Sequence, residues 1–165
     1  ADSLSGRARF VMHGDGPMSV RLQQDHGDKV HFNGFAKDME SVWQNTGILL
    51  MPSRKEGLPM AALEAMARGI PVAASTTGAL PDVIENGVNG FLFPVGDVRA
   101  AGLAVETWLG MDKDQRKAIS VAARATVQQR YSPVSGLPAI LAVYARAGWR
   151  GDFSMMSSVQ SSSGR

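Results

Sequence analysis

Short apolar runs alternate with stretches of helical periodicity along the first half of the chain, and the pattern then becomes helical throughout. We predict strands at 9–13, 29–32, 47–51, 71–74 and 90–93. We predict helices between them at 18–25, 38–44, 59–68 and 81–85, and after them at 98–109, 114–130 and 138–147. Such alternation is typical of the α/β class, in which a Rossmann-like parallel sheet carries helices on both faces.

The segment after the third predicted strand places two glutamates on either side of a helix start. Pro59 suits the first position of a helix because its missing N–H would be unpaired there, and Gly69 is typical of a helix end. A helix that begins beyond the carboxyl end of a parallel strand directs unpaired N–H groups and its positive dipole end toward a crevice. Glu64 lies about 8 Å along this helix from Pro59, while Glu56 stays on the loop side. The two carboxylates therefore flank a predicted anion site.

A nucleoside diphosphate sugar has the same order of chemical groups as this predicted site. Carboxylates accept well from paired hydroxyls. We therefore expect Glu56 on the sugar, the helix start from Pro59 to Ala61 on the two phosphates, and Glu64 on the ribose.

The alternative interpretation is structural. Glu64 could pair with Arg68 one helical turn later, and Glu56 could be a solvated loop residue beside Arg54 and Lys55. The apolar surroundings of Glu64 on its helix favour the binding interpretation.

Several strings of residues resemble one known family in the same order along the chain. The strings are Glu56-Gly57-Leu58-Pro59, then Leu63-Glu64-Ala65-Met66-Ala67, then Gly69-Ile70-Pro71-Val72-Ala73-Ala74-Ser75. Together they resemble the signature of retaining glycosyltransferase family 4, whose enzymes have the two-domain GT-B architecture and a Glu-x7-Glu motif in their C-terminal, donor-binding domain. The stretches 10–17, 30–34 and 87–92 are similar to further family motifs, so the likeness covers roughly residues 9–144.

The resemblance implies a role for each matched residue. Glu56 would contact the donor hexose and support the transition state, and Glu64 would hold the ribose hydroxyls. The remaining donor-binding candidates are Gly57, Leu58, Pro59, Met60 and Ala61 beside the sugar and phosphates, and Phe32, Asn33 and Gly34 beside the nucleobase. The candidates for phosphate contact or for a turn are Gly14, Gly16, Arg54 and Lys55.

The chain departs from the family pattern in two places. The loop Gly78-Ala79-Leu80-Pro81-Asp82 stands where family members commonly have Gly-Gly followed by a Glu. The family also opens this domain with another strand and helix, which carry an Arg and a Lys for the diphosphate, and residues 1–8 do not match them. We therefore expect residues 1–150 to form a donor-binding domain that is incomplete at its N-terminus, and residues 151–165 to be a flexible tail.

The function that the resemblance implies is retaining transfer of a hexose from a nucleoside diphosphate sugar to a saccharide or lipid-linked saccharide, as in cell-surface polysaccharide or glycolipid synthesis. An N-terminal acceptor domain, in cis or in trans, would complete the enzyme, and this fragment alone would be inactive. The family implies no metal and no cofactor, because the nucleotide sugar is a substrate. Two alternatives stay open: a GT-B-type nucleotide-sugar epimerase, and a non-catalytic nucleotide-sugar binding or partner-docking module.

Composition narrows these expectations. The chain has 165 residues, of which 44% are hydrophobic and 19% charged, so it can bury one ordinary core. It has no cysteine and a formal net charge of +2 with scattered basic residues, which argues against thiolate metal sites and nucleic-acid binding. We expect a cytoplasmic protein. The basic positions Arg116, Lys117, Arg124 and Arg130 could add a peripheral contact at the inner face of the membrane, or could simply form a solvated helix face.

Overall fold

A computed structural model of the chain describes residue 4 and residues 6–146. The strands are β1 (Phe10–Met12), β2 (Val30–Phe32), β3 (Leu49–Met51), β4 (Val72–Ser75) and β5 (Gly90–Phe93). The helices are α1 (Ser19–His26), α2 (Met39–Gln44), α3 (Met60–Ala67), α4 (Leu80–Val83), α5 (Val98–Gly110), α6 (Lys113–Arg130) and α7 (Pro133–Arg146). This order confirms the predicted α/β class. The predicted tail at 151–165 lies outside the described residues.

The strands form two parallel sheets instead of one continuous sheet. In the first sheet β1 pairs with β2, with Val11 opposite His31. In the second sheet the order is β3-β4-β5, with Leu50 opposite Ala73 and Ala73 opposite Phe91. Both β1 and β3 are therefore paired on one side only among the described strands.

The core lies on both faces of β4, all four residues of which are buried. Val72 and Ala74 point into one cluster, which includes Met66 of α3 and Ala123 of α6. Ala73 points into a second cluster on the opposite face with Trp108 of α5. The alternation follows from the two-residue period of a strand, and it explains why β4 is an uninterrupted run of small apolar residues before Ser75.

Local signals explain most helix ends. Asp38, Asp97 and Asp112 accept main-chain N–H bonds at the starts of α2, α5 and α6, which confirms the predicted caps Asp97 and Asp112. The prediction for the last helix was wrong at its start: α7 begins at Pro133 and contains Pro138 within it. Proline is tolerated at the first position of a helix, so Pro133 both separates α6 from α7 and opens α7.

The basic residues of α6 mostly contact the protein itself. Arg116 Nη2 donates to the Leu109 carbonyl over 2.8 Å, and the guanidinium carbon of Arg116 lies 5.4 Å from the Trp108 ring centroid. Arg124 Nη2 donates to the Arg68 carbonyl over 3.0 Å. Arg130 stacks on its neighbour, with its guanidinium carbon 5.4 Å from the centroid of the Tyr131 ring. These contacts favour a structural role for Arg116, Arg124 and Arg130 over a lipid-binding one.

Gly90 allows close packing of β5 against β4, which gives a stability prediction. A Cβ at this position would lie 2.7 Å from the Val72 carbonyl oxygen and 3.0 Å from Ile84 Cγ2. We expect Gly90→Ala to lower the free energy of unfolding by about 1–3 kcal/mol through overpacking, measured by urea denaturation.

Gly110 supplies the matched control. A Cβ on this last residue of α5 would have no neighbour within 4 Å. Gly110→Ala should therefore be neutral or stabilising by about 0.5–1 kcal/mol. Equal destabilisation by both substitutions would contradict the packing argument.

Candidate functional site

The loop between β3 and α3 is tied to the carboxyl end of the neighbouring strand β4. The hydroxyl of Ser75, which is fully buried, donates to the Ser53 carbonyl. The Thr77 hydroxyl donates to the Arg54 carbonyl over 3.3 Å, and the Ala79 N–H donates to the Gly57 carbonyl over 3.1 Å. The loop backbone is thus held at three successive points, by Ser75 at the end of β4 and by Thr77 and Ala79 after it.

Glu56 is oriented by a side chain from its own loop. The Ser53 hydroxyl donates to Glu56 Oε1 over 2.6 Å, and the Glu56 side chain is partly buried. A hydrogen bond to a carboxylate is among the stronger hydrogen bonds in proteins. The bond leaves Oε2 and the remaining lone pairs of Oε1 to accept from hydroxyl groups of a ligand.

Gly78 permits the closest approach between the two segments. Its φ is +55°, and a Cβ there would lie 2.1 Å from the Glu56 carbonyl oxygen. A side chain at position 78 would therefore push on the backbone of Glu56. Gly78 belongs to the loop 78–82, which departs from the family pattern. The close approach shows that the loop carrying Glu56 requires a glycine at this position.

The start of α3 differs from the starts of α2, α5 and α6. Pro59 occupies the N-cap position with φ −78° and ψ 103°, and it has no side-chain acceptor. In the described part of the chain, the N–H groups of Met60 and Ala61 donate to no protein group, and both residues are exposed. Open N–H groups at a helix start attract anions. Helix α3 thus begins one residue after the predicted start at Pro59, and its first N–H groups are available to an anion, so the anion site stays a prediction.

Glu64 does not pair with Arg68 as the structural alternative required. The Arg68 side chain binds Glu40 instead, with Nη2 at 2.9 Å and Nε at 3.2 Å from Oε2. Arg68 Nη1 reaches only the main-chain oxygen of Glu64, at 3.1 Å. Among the described residues, the exposed carboxylate of Glu64 has no partner, so it is open to a ligand.

The loop also carries two cations and two exposed apolar residues. Arg54 and Lys55 are exposed beside Glu56, and Arg54 also borders a cavity between the two sheets. Leu58 is 52% exposed and Met60 is 60% exposed. Gly57 is exposed as well, and its carbonyl is engaged by Ala79. A ligand over the loop would meet positive charge next to an apolar rim.

The carboxyl end of the first sheet holds the other predicted residues. The Asn33 N–H donates to the Met12 carbonyl over 3.0 Å, and the Gly14 N–H donates to the Gly34 carbonyl over 2.7 Å. Phe32 is partly buried and Asn33 is exposed. These contacts join the glycine turn after β1 to the end of β2. Within the described residues, no hydrogen bond joins this group to the Glu56 loop.

Asp15 organises the turn between β1 and α1. Its carboxylate accepts from the Ser19 hydroxyl and from the Gly16 N–H, both over 2.7 Å, and these bonds lower the pKa of Asp15. The amides of Gly14 and Gly16 are thus both used inside the protein. Of the two roles expected for these glycines, the geometry favours the turn over phosphate contact.

Sequence reasoning missed four residues that position the loop: Ser53, Ser75, Thr77 and Gly78. One signal was present, because Ser75 is a polar residue at the end of a strand that is otherwise apolar. A buried hydroxyl needs a partner, so its burial alone implies a tie to a neighbouring carbonyl.

The architecture places the chain among the GT-B glycosyltransferases. The structure of Anabaena Alr3699/HepE in complex with UDP-glucose superimposes with a TM-score of 0.71 and 26% identity, over 84% of this chain and 41% of that one. The sequence model described as "Glycosyl transferases group 1" matches residues 2–110. The chain therefore belongs to the group 1 glycosyltransferase family.

Two curated relatives show how much of a family member the chain represents. Sulfoquinovosyl transferase SQD2 of Arabidopsis thaliana is 34% identical over 128 residues, which are 74% of this chain and 25% of the relative. The putative colanic acid biosynthesis glycosyltransferase WcaL of Salmonella typhimurium is 28% identical over 137 residues, 75% of this chain and 34% of the relative. The chain thus spans about a quarter to a third of their length.

The close approach at Gly78 yields a prediction about the site loop. Gly78→Ala adds a clash with the Glu56 carbonyl to the cost of a left-handed backbone, which is about 1–2 kcal/mol for a residue with a Cβ. We expect it to destabilise the protein further than that and to shift the amide NMR signals of residues 53–58.

Gly96→Ala is the control for this substitution. Gly96 has a similar φ of +80°, but a Cβ there would have no neighbour within 4 Å. It should carry the backbone cost alone and leave the signals of residues 53–58 in place. If the two variants had the same stability and the same spectra, the contact between Gly78 and the Glu56 loop would not hold in solution.

Proposed function

We propose that this chain is the donor-binding part of a retaining glycosyltransferase that moves a hexose from a nucleoside diphosphate sugar to a saccharide or lipid-linked saccharide. The observation that carries the proposal is the uncapped start of α3 between two available carboxylates, Glu56 and Glu64. Membership of the group 1 glycosyltransferases supports a transferase. The UDP-glucose in the HepE structure supports a nucleotide sugar as the donor.

The donor would lie across the loop and the helix start in a fixed order. The diphosphate accepts from the open N–H groups of Met60 and Ala61, with Arg54 and Lys55 close along the loop as further positive charges. The hexose lies on the loop side, where Glu56 and the Gly57 and Leu58 backbone meet its hydroxyls. The ribose lies about 8 Å along α3 from Pro59, where Glu64 accepts from the two hydroxyls.

The nucleobase would lie at the end of β2. Asn33 is exposed there, and Phe32 and Gly34 are partly buried, so backbone groups of this turn can meet a base edge. The bond from Gly14 to Gly34 fixes the turn. A backbone contact does not distinguish bases as a side chain would, so the identity of the base is a question for measurement.

The chemistry assigned to these residues is stabilisation of charge in the transition state. The bond between the sugar carbon and the diphosphate oxygen breaks, and negative charge grows on the diphosphate at the start of α3, where oriented N–H groups stabilise it. Glu56 holds the hexose hydroxyls and supports the positive charge that develops on the sugar. The acceptor oxygen forms its bond on the same face, and its proton passes to the leaving diphosphate, so the configuration of the sugar is retained.

The acceptor would be chosen by polypeptide outside this chain. One relative named above is described as a putative colanic acid biosynthesis glycosyltransferase, which supports a saccharide-building role. Among residues 6–146, no helix is both long enough and apolar enough to cross a bilayer. We place the enzyme in the cytoplasm, where nucleotide sugars are substrates.

Titration of the labelled chain with UDP-, GDP- and ADP-glucose tests the donor site. We expect one of the three to shift the amide NMR signals of residues 56–67 with a dissociation constant of roughly millimolar strength. Glu64→Ala should weaken that binding about ten- to hundredfold, since a hydrogen bond to a charged group contributes about 1.5–3 kcal/mol. Glu106→Ala on α5 is the matched control and should bind as the unaltered chain does.

The roles of Glu56 and Glu64 should be distinguished by comparing the binding of UDP-glucose with that of UDP, or of the equivalent pair for the base that binds. Glu56→Ala should weaken binding of the nucleotide sugar and leave that of the free nucleotide unchanged, because only the former has a hexose. Glu64→Ala should weaken both to the same degree. Loss of both ligands in Glu56→Ala, or shifts centred away from residues 56–67, would contradict the proposed order.

A further inference from the structure

Three asparagines in the chain are each followed directly by a glycine. The pairs are Asn33-Gly34, Asn86-Gly87 and Asn89-Gly90. Asparagine is a chemically labile residue, and a glycine after it leaves the glycine nitrogen without the crowding of a neighbouring Cβ, so that nitrogen can attack the asparagine side chain. The reaction needs a free side-chain amide and a free glycine N–H. Because hydrogen bonds to either group oppose it, the fold decides which of the three pairs can react.

The side-chain amide of Asn89 is bonded at both of its polar atoms and is buried, with 4% of the residue exposed. Its Nδ2 donates to the Val83 carbonyl over 3.2 Å and to Thr126 Oγ1 over 2.9 Å. Its Oδ1 accepts from the Glu85 N–H over 2.8 Å. Loss of the amide at Asn89 therefore requires local opening of the structure.

Asn86 is exposed, but both of its reacting groups are held. Its Oδ1 accepts from the Leu92 N–H over 2.9 Å. The N–H of Gly87 donates to the Gly90 carbonyl over 2.8 Å, so the attacking nitrogen is bonded as well. Asn86 therefore has access to water and is restrained only by these bonds.

Asn33 is exposed and both of its reacting groups are open. Among the described residues, no group bonds the Asn33 side chain and none accepts from the Gly34 N–H. The two bonds at this turn use other atoms: the Asn33 N–H donates to the Met12 carbonyl, and the Gly34 carbonyl accepts from the Gly14 N–H. A Cβ on Gly34 would have no neighbour within 4 Å, so the space around the attacking nitrogen is open too.

We propose that Asn33 is a site of spontaneous deamidation in the folded chain, and that hydrogen bonds protect Asn86 and Asn89 from the same reaction. The Gly34 nitrogen forms a bond to Asn33 Cγ, the bond from Cγ to Nδ2 breaks, and ammonia leaves with the proton of the Gly34 N–H. Water then opens the succinimide ring, with its hydroxyl bonded to a ring carbonyl carbon and its proton on the ring nitrogen. Opening at Cγ gives aspartate, and opening at the main-chain carbonyl carbon gives isoaspartate.

The product changes the turn after β2. Both products carry a negative charge at position 33, and isoaspartate also lengthens the main chain between residues 33 and 34 by a methylene. Since these residues are tied separately to Met12 and Gly14, the longer main chain strains both bonds. One consequence rests on the proposed function: the turn is the place assigned to the nucleobase, so the isoaspartate form should bind the nucleotide more weakly.

Mass spectrometry of the aged chain tests the proposal. The unaltered chain is kept at mildly alkaline pH, folded or unfolded in urea, and then digested with trypsin. Asn33 falls in the peptide 30–37, and Asn86 and Asn89 fall in the peptide 69–99, where fragmentation separates them. In the folded chain, Asn33 should react at least about tenfold faster than Asn86 and Asn89, whose bonds must first break. In urea the three rates should converge, because no fold remains to distinguish the pairs.

Two substitutions at exposed positions form a matched pair. Asn33→Gln keeps a side-chain amide but moves its carbonyl carbon one methylene further from the Gly34 nitrogen, so the folded variant should no longer gain negative charge on ion exchange. Asn86→Gln should gain charge as fast as the unaltered chain. With age, the amide NMR signal of Gly14 should shift in the unaltered chain and in Asn86→Gln, and stay in place in Asn33→Gln.

Two results would overturn the proposal. The first is equal rates at Asn33 and Asn86 in the folded chain. The second is a rate at Asn33 that is at least about tenfold lower in the folded chain than in urea, because the turn would then protect it. These measurements need no nucleotide, so they stand apart from donor binding. If the purified isoaspartate form bound the nucleoside diphosphate as tightly as the unaltered chain does, the placement of the nucleobase at this turn would be wrong instead.

Discussion

The hydrogen bond from the Ser75 hydroxyl to the Ser53 carbonyl fixes the position of the candidate site. Because the hydroxyl is buried at the end of the central strand, the loop after β3 must follow the strand beside it. Neighbouring contacts then fix the rest of the loop. The Ser53 hydroxyl donates to Glu56, and Thr77, Gly78 and Ala79 contact the loop from the opposite side. Without that bond from Ser75 the buried hydroxyl would keep only the longer contact to the Met51 carbonyl, at 3.4 Å, and a buried hydroxyl needs a well-placed partner. The position of the catalytic candidate is therefore enforced by the core.

The same feature of helices is used in two ways in this fold. Every helix begins with N–H groups that lack partners. At α2, α5 and α6 an aspartate side chain accepts from them, and those ends are closed. At α3 a proline stands in that position and the end stays open, although α3 is among the best buried helices. The open end of α3 is available to an anion at a cost in helix stability, and the burial of Ala62, Leu63, Ala65 and Met66 compensates for that cost.

Much of this could be predicted from the sequence, and the failures have physical causes. Periodicity and turn residues identified every strand and helix that the structure describes, because burial on one or both faces leaves a direct trace in the pattern. The division into two sheets could not be predicted, since the pattern reports burial but not which strands pair. The spacing of Glu64 and Arg68 suggested a helical ion pair. Arg68 instead pairs with Glu40, which is distant in sequence. Tertiary neighbours of this kind are invisible to local rules.

The Glu40–Arg68 pair has a consequence for how the site could change over time. Because Arg68 is already neutralised, the fold draws no stability from the carboxylate of Glu64, and exposed pairs such as Glu40–Arg68 themselves contribute only about 0–1 kcal/mol. Position 64 is therefore free to vary without a threat to folding, whereas Ser75 and Gly78 are not. In the proposed site, substitutions at position 64 would change the part assigned to the ribose without disturbing the scaffold that presents it.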